Sequence, residues 1–350
     1  MTVPDYAGTP TLPADEVFVF PTSFAQQRLW FFDQFEPGSP FYNIPTAVRL
    51  KGALDVGALS RALDEIVRRH EALRTTFAVQ AGQPVQVIAP ALHLPVDLVD
   101  LSGLDETERE VETLRLATQE ARTGFDLTRG PLLRVRLLRL SAQEHVILLT
   151  MHHIVSDGWS MGVLVGEIGA LYDAFAHGRP SPLPPLAIQY ADFAEWQREY
   201  LTGAVLEQQL AYWKQQLGGE LPVLNLPTDR PRPPVQSSLG DARAREIPAG
   251  VLEAFQAACR QEGASLFMGL LAAFYVLLYR YTGQTDLTVG SPIANRNRAE
   301  IEPLIGVFIN TLVFRGQLDG DPTFRQLLRR VRETALGAFA HQDLPFEMLV

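Results

Sequence analysis

The chain has 350 residues, 47% of them hydrophobic and 20% charged, the composition of an ordinary folded protein with enough length for two packed cores. A formal net charge of -10 disfavours nucleic acid and acidic membrane surfaces as partners, because either would need a concentrated positive field. The single cysteine, Cys259, leaves no disulfide framework; beside Ala257 and Ala258 it reads as a small core residue, and a cytoplasmic setting is expected.

Residues 1–20 read as a leader or linker, and residues 1–16 hold Asp5, Asp15 and Glu16 with no basic start or apolar run, so no secretory signal is expected. From Val56, Leu59, Leu63 and Ile66 recur at helical spacing behind Asp55 as N-cap, with Arg68 and Arg69 near the C-terminal end, which predicts an amphipathic helix. Leu133, Val135 and Leu137 alternate with Arg134, Arg136 and Leu138; polar residues 141–144 and the apolar run 146–151 follow, predicting an antiparallel hairpin. Its second strand is apolar on both faces and belongs in the middle of a covered sheet. Leu164, Ile168, Leu171 and Phe175 share one helical face, so residues 146–175 form a strand, a loop and a helix. Proline-rich passages at 180–185 and 222–234 are the linker candidates, with an aromatic helical segment, 190–200, between them. A boundary near Pro180 divides the chain into an N-terminal lobe, 21–180, and a C-terminal lobe, 181–350, whose strands and helices run from Val251. The most apolar stretch, 264–279, falls short of the about 20 residues of a membrane span and ends in Arg280, so it reads as a buried helix. The fold class is mixed α/β (α+β).

The loop between that central strand and its helix carries the chemistry: His152-His153-Ile154-Val155-Ser156-Asp157-Gly158. Histidines at strand ends are often only hydrogen-bonded and buried. Adjacent strand residues point to opposite faces and grip one metal ion poorly, so no metal site is expected. The same geometry lets one histidine face a cavity while the other packs inward, with Asp157 orienting or salt-bridging and Gly158 allowing close backbone approach. Gly158-Trp159-Ser160-Met161-Gly162 matches the nucleophile elbow of serine hydrolases, but seven residues separate the strand from Trp159 where an elbow turns at once. Downstream histidines stand only at His177 and His341, neither marked as a triad base, and Ser160 is expected to cap the helix.

The HHxxxDG loop resembles the core motif of the condensation domains of nonribosomal peptide synthetases, and five further motifs resemble that family in order along the chain. These are Ser23-Phe24-Ala25-Gln26-Gln27-Arg28-Leu29-Trp30, then Arg69-His70-Glu71-Ala72-Leu73-Arg74-Thr75-Thr76-Phe77, then Tyr190-Ala191-Asp192-Phe193-Ala194-Glu195-Trp196. Ile305-Gly306-Val307-Phe308-Ile309-Asn310-Thr311 and His341-Gln342-Asp343-Leu344-Pro345-Phe346-Glu347 complete the set.

The resemblance implies two chloramphenicol-acetyltransferase-like lobes in a V with a tunnel between them, and an enzyme that forms an amide bond. A carrier-bound acceptor amine would attack a carrier-bound aminoacyl or peptidyl thioester. Both substrates would ride on phosphopantetheine, with no cofactor or metal on the domain itself. Partners would be donor and acceptor peptidyl carrier domains and an adjacent adenylation domain, in secondary-metabolite or antibiotic synthesis. His153 would be catalytic and His152 packing support. Asp157 would be structural, paired with Arg69, although Arg68 could also reach. The Gly158 backbone would lie near the thioester, and Asn310 and Thr311 would line the substrate tunnel. A seventh motif is expected beyond Val350, leaving the second lobe incomplete. The residues around Asp157 resemble domains that join two L-residues. Competing readings are a noncatalytic condensation-like recruitment module, a serine thioesterase built on Ser160, and a free-standing acyltransferase using soluble acyl thioesters.

Overall fold

A computed structural model describes residues 17–234 and 240–349, so residues 1–16 of the leader expected over 1–20 lie outside the described residues. The chain divides into two compact units: Met1–Tyr200 with Arg296–Ile309, and Leu201–Asn295 with Asn310–Val350.

In the first unit, strand β1 (Phe18–Pro21) precedes helix α1 (Phe24–Phe35), strand β2 (Asn43–Lys51) and helix α2 (Val56–Arg69). Strands β3 (Thr75–Gln80), β4 (Gln83–Ile88) and β5 (Val96–Asp100) lead to helix α3 (Glu106–Arg122). The hairpin β6 (Leu133–Ser141) and β7 (Glu144–His152) then runs into helix α4 (Gly158–Ala176), and α5 (Tyr190–Tyr200) ends the run. One sheet has the order β1-β4-β3 and the other β2-β7-β6-β5, antiparallel throughout except for the parallel β5–β6 pair.

The hairpin and its covered strand stand where the alternation predicts, with Leu133 opposite Met151 and Val135 opposite Leu149. Strand β7 is apolar on both faces because each face has its own core. Ile147, Leu149 and Met151 join Leu59, Leu63 and Ile66 of α2 and Leu164 and Leu171 of α4. Val146 and Leu148 pack instead with Leu116 of α3 and with Leu138 and Leu140. Asp55 caps α2 as expected, accepting from the Ala58 N–H at 2.9 Å.

Two boundaries differ from the sequence reading. Phe18, Val19 and Phe20, expected as the end of the leader, instead belong to strand β1 and pair with β4. The first unit also runs past Pro180 to Tyr200, because the proline passage is stitched down: Arg69 donates to the Pro184 carbonyl at 2.8 Å and Gln189 to the Arg69 carbonyl at 2.9 Å. Helix α5 is held further by Ser23 to the Tyr190 hydroxyl at 2.7 Å and by the Gln197 side chain accepting from the Phe24 N–H.

The second unit holds helices α6 (Gly203–Gln216), α7 (Ala249–Gln261), α8 (Leu266–Thr282) and α9 (Phe324–Ala340), with strands β8 (Asp286–Ile293) and β9 (Asn310–Gln317) paired antiparallel. Trp213, Cys259, Tyr275, Leu312, Phe314 and Val331 sit in its core. Cys259 is buried and free, and burial pushes its thiol pKa up, as suits a packing residue rather than a nucleophile. Helix α8 is buried on one face only: Met268, Leu271, Ala272, Tyr275 and Leu278 turn inward while Phe267, Leu270, Phe274, Leu277 and Tyr281 stay exposed. No single helix among the described residues is long and apolar enough to cross a membrane.

Candidate active site

The two histidines part company where β7 ends. His152 is the last strand residue and is buried; its Nδ1 accepts the Ile154 N–H at 3.1 Å, capping a single 3-10 turn, His153–Val155. That bond makes Nε2 the protonated nitrogen of a neutral ring. Burial, and after it the neighbouring His153, pull the His152 pKa from 6.5 down to about 4, so it is uncharged at pH 7. His153, first in the turn, is half-buried, with Nδ1 enclosed and without a partner, which leaves Nε2 as the nitrogen open to another molecule. Gln26 of the first motif steadies the turn from the other side, donating to the Ile154 carbonyl at 3.5 Å.

Asp157 is not paired with Arg69 or Arg68. Its partner is Arg296, whose Nη2 donates to Asp157 Oδ1 at 3.1 Å with both side chains buried. Arg69 is drawn to Glu167 on α4, which also takes the His70 Nε2 at 2.9 Å, while exposed Arg68 pairs with Glu65. Burial pushes the Glu167 carboxyl up, but hydrogen bonds from His70 and Arg69 overcome this and hold it below the usual range. Arg68 and Arg69 are thus already matched by carboxylates near them, and Asp157 is left for a cation arriving from 139 residues downstream.

Asp157, not Ser160, is the N-cap of α4. Its Oδ1 accepts the Ser160 N–H at 2.8 Å, and its Oδ2 accepts the Phe308 N–H at 3.0 Å. An aspartate with both oxygens so engaged holds backbone in place. Ser160 is fully buried in the same knot. Its one proton goes to Asp157 Oδ1 or the Gly306 carbonyl, at 2.7 and 2.9 Å, while its oxygen accepts the Gly306 N–H at 3.1 Å and Arg296 Nη2 at 2.8 Å. Among the described residues no histidine bonds to it. His177 and His341 turn Nδ1 to the carbonyls of Asp173 and Gly337, so the hydrolase-like pattern lacks a triad.

The motifs converge on one strap of backbone, Leu304 to Phe308, which has no helix or strand partner of its own. His70 Nδ1 accepts the Ile305 N–H at 3.3 Å, Ser160 brackets Gly306, the Tyr190 hydroxyl donates to the Val307 carbonyl at 2.7 Å, and Asp157 accepts from Phe308. Arg296 donates to the carbonyls of Ile301 and Leu304 and sits 4.1 Å over the Phe308 ring. Gly306 is required here, since a Cβ would lie 2.0 Å from Tyr190 Cδ2. Burial pulls the Arg296 guanidinium down from its ordinary value and Asp157 works against that.

Gly158 opens α4 and faces outward, with nothing within 4 Å of an added Cβ. Trp159 fixes that helix start by donating Nε1 to the Glu302 carbonyl at 2.9 Å. Asn310 and Thr311 belong to the second unit. The Asn310 amide is already saturated there, donating to the carbonyls of Gln342 and Leu344 and accepting from the Thr311 and Phe346 N–H groups. It braces the start of β9 to the sixth motif, whereas Thr311 is half-buried. Among the described residues no group of three or more His, Cys, Asp or Glu side chains is arranged to hold a metal ion. Sequence reasoning missed Arg296 and Glu167: nothing local distinguishes either among 30 basic and 40 acidic residues.

The condensation-domain family profile matches residues 18–350. One of the proteins that make up the linear gramicidin synthase of Brevibacillus parabrevis is 55% identical over 97% of the chain, which spans only 4% of that protein. Phosphinothricin tripeptide synthetase PhsC of Streptomyces viridochromogenes is 44% identical, with 97% and 31% covered. Among solved structures, the X-domain from teicoplanin biosynthesis is 32% identical with a TM-score of 0.84, covering 97% of this chain and 74% of that one. The first condensation domain of the CDA synthetase is 25% identical with a TM-score of 0.76, covering 95% and 78%. The fold is the chloramphenicol-acetyltransferase-like fold of these domains, and the chain belongs to the condensation-domain family of the nonribosomal peptide synthetases.

Proposed function

We propose that the chain joins two carrier-bound groups: the amine of an acceptor attacks the thioester carbonyl of a donor, the C–S bond breaks, and the proton lost by nitrogen ends on the released phosphopantetheine thiol. The observation that carries this reading is the half-buried His153, its Nε2 open and its turn fixed by neutral His152 on one side and the Asp157–Arg296 knot on the other. A thioester is already activated, so placing the attacker and stabilising the oxyanion supply most of the rate. His153 is the catalytic residue; it takes a hydrogen bond from the amine, whose ordinary pKa of about 8 leaves a neutral fraction at pH 7. The exposed start of α4 at Gly158 offers backbone N–H groups to developing negative charge.

His152, Asp157 and Arg296 are structural in this scheme. Arg69 supports α4 through Glu167, and Asn310 holds the backbone on which Thr311 is presented. The substrates are L-configured on both sides, and the setting is cytoplasmic, with donor and acceptor carrier domains and an adenylation domain as partners. The X-domain, solved in complex with OxyB, supplies a recruitment alternative; the open His153 and Gly158 favour catalysis over it.

The test is a single-turnover reaction followed by mass spectrometry, presenting aminoacyl donor and acceptor carriers to wild type, His153→Ala and Ser160→Ala. Amide formed by wild type and lost in His153→Ala supports the proposal. Free acid from wild type, abolished in Ser160→Ala, would establish a hydrolase, and wild type that binds carriers without forming amide would establish recruitment.

A further inference from the structure

The histidine loop rests on a support that none of the six motifs contains. Helix α3 ends at Arg122, and its last carbonyls are caught by side chains from two strands of the adjoining sheet. Asn43, opposite His152 in the β2–β7 register, donates Nδ2 to the carbonyls of Ala121 and Thr123 at 2.8 Å each. Arg134 on β6 donates Nε to Glu120 Oε1 at 2.6 Å, Nη1 to the Gly124 carbonyl at 3.0 Å, and Nη2 to the carbonyls of Thr123 and Glu120 at 2.7 and 3.3 Å.

The same guanidinium sits over the Phe125 ring, 3.8 Å from its centroid. Phe125 in turn meets His152 edge-on at 6.0 Å, while Tyr42 meets the imidazole at 6.3 Å. The turn has little freedom to drift, since a Cβ on Gly124 would lie 1.8 Å from the Gly38 carbonyl oxygen. A continuous line of contact therefore runs from Arg134 through Phe125 to His152, and from His152 Nδ1 into the turn that presents His153.

We infer that Arg134 is a positioning residue for His153, acting through Phe125 and His152; this rests on His153 being the reactive histidine. Lysine is no substitute, because the site uses the planar fork in several hydrogen bonds and one stacking contact at once.

The test compares wild type with Arg134→Lys and Phe125→Leu. Side-chain NMR titrations of His152 and His153 report the loop, steady-state amide formation between carriers gives kcat and KM, and thermal melting reports the fold. Both variants are expected to melt above the assay temperature, to titrate His152 at higher pH than wild type, and to lose on the order of tenfold in kcat with KM unchanged. The inference fails if kcat is unchanged, or if it falls while both histidines keep wild-type shifts and titrations. Should Arg134→Lys not fold, Phe125→Leu decides by the same criteria. If wild type makes no amide, the proposed function fails its own test, and the histidine titrations alone decide whether Arg134 sets the loop.

Discussion

Acidification should unlock the first unit through His152. The ring is buried, its Nδ1 is occupied by the Ile154 N–H, and its folded pKa is about 4 against 6.5 in the open chain. Between those values the unfolded chain binds a proton that the folded chain refuses. Stability from this residue is therefore complete above about pH 6.5, declines as pH falls toward about 4, and stays flat below. The interval from 6.5 to about 4, at about 1.4 kcal/mol per pH unit, comes to about 3 kcal/mol. His152→Asn isolates the effect, since its side-chain oxygen can still accept the Ile154 N–H but does not titrate. Urea unfolding of both proteins, followed by tryptophan fluorescence between about pH 7 and pH 4, gives a difference in which all other titrations cancel. Wild type should lose about 3 kcal/mol relative to the variant across that range. A difference that stays constant with pH would refute the argument that His152 is held neutral by burial.

Arg296→Met leaves the Asp157 carboxylate buried without its cation, and should cost about 3–5 kcal/mol of unfolding free energy, measured by denaturant titration, with part recovered in Arg296→Met/Asp157→Asn. Gly306→Ala drives a methyl into the buried Tyr190 ring and should cost about 3 kcal/mol or more, visible as a lowered melting temperature. Ser160→Ala leaves the Gly306 N–H unsatisfied and should cost about 1–3 kcal/mol, while wild-type Ser160, buried and without a histidine, should resist a fluorophosphonate probe by mass spectrometry.

Much of this protein was legible in its sequence because the signals are local. The α2 face, the Asp55 cap, the β6–β7 hairpin and the two-faced burial of β7 depend on residues a few positions apart, where period and turn chemistry act directly. The order of the motifs sufficed to assign the family. Charge pairing was not legible, because opposite charges choose partners by distance in space: Arg69 lies beside Glu167 on the packed α4, so Asp157 is matched by Arg296. The unit boundary moved for a related reason. The proline passage at 180–185 looks like a linker, yet hydrogen bonds from Arg69 and Gln189 fasten it and its sequel to the first unit, and side chains of three motifs hold the strap at 304–308 there as well. Backbone without its own helix or sheet must find hydrogen-bond partners wherever the fold supplies them, and only the tertiary structure decides which side chains those are.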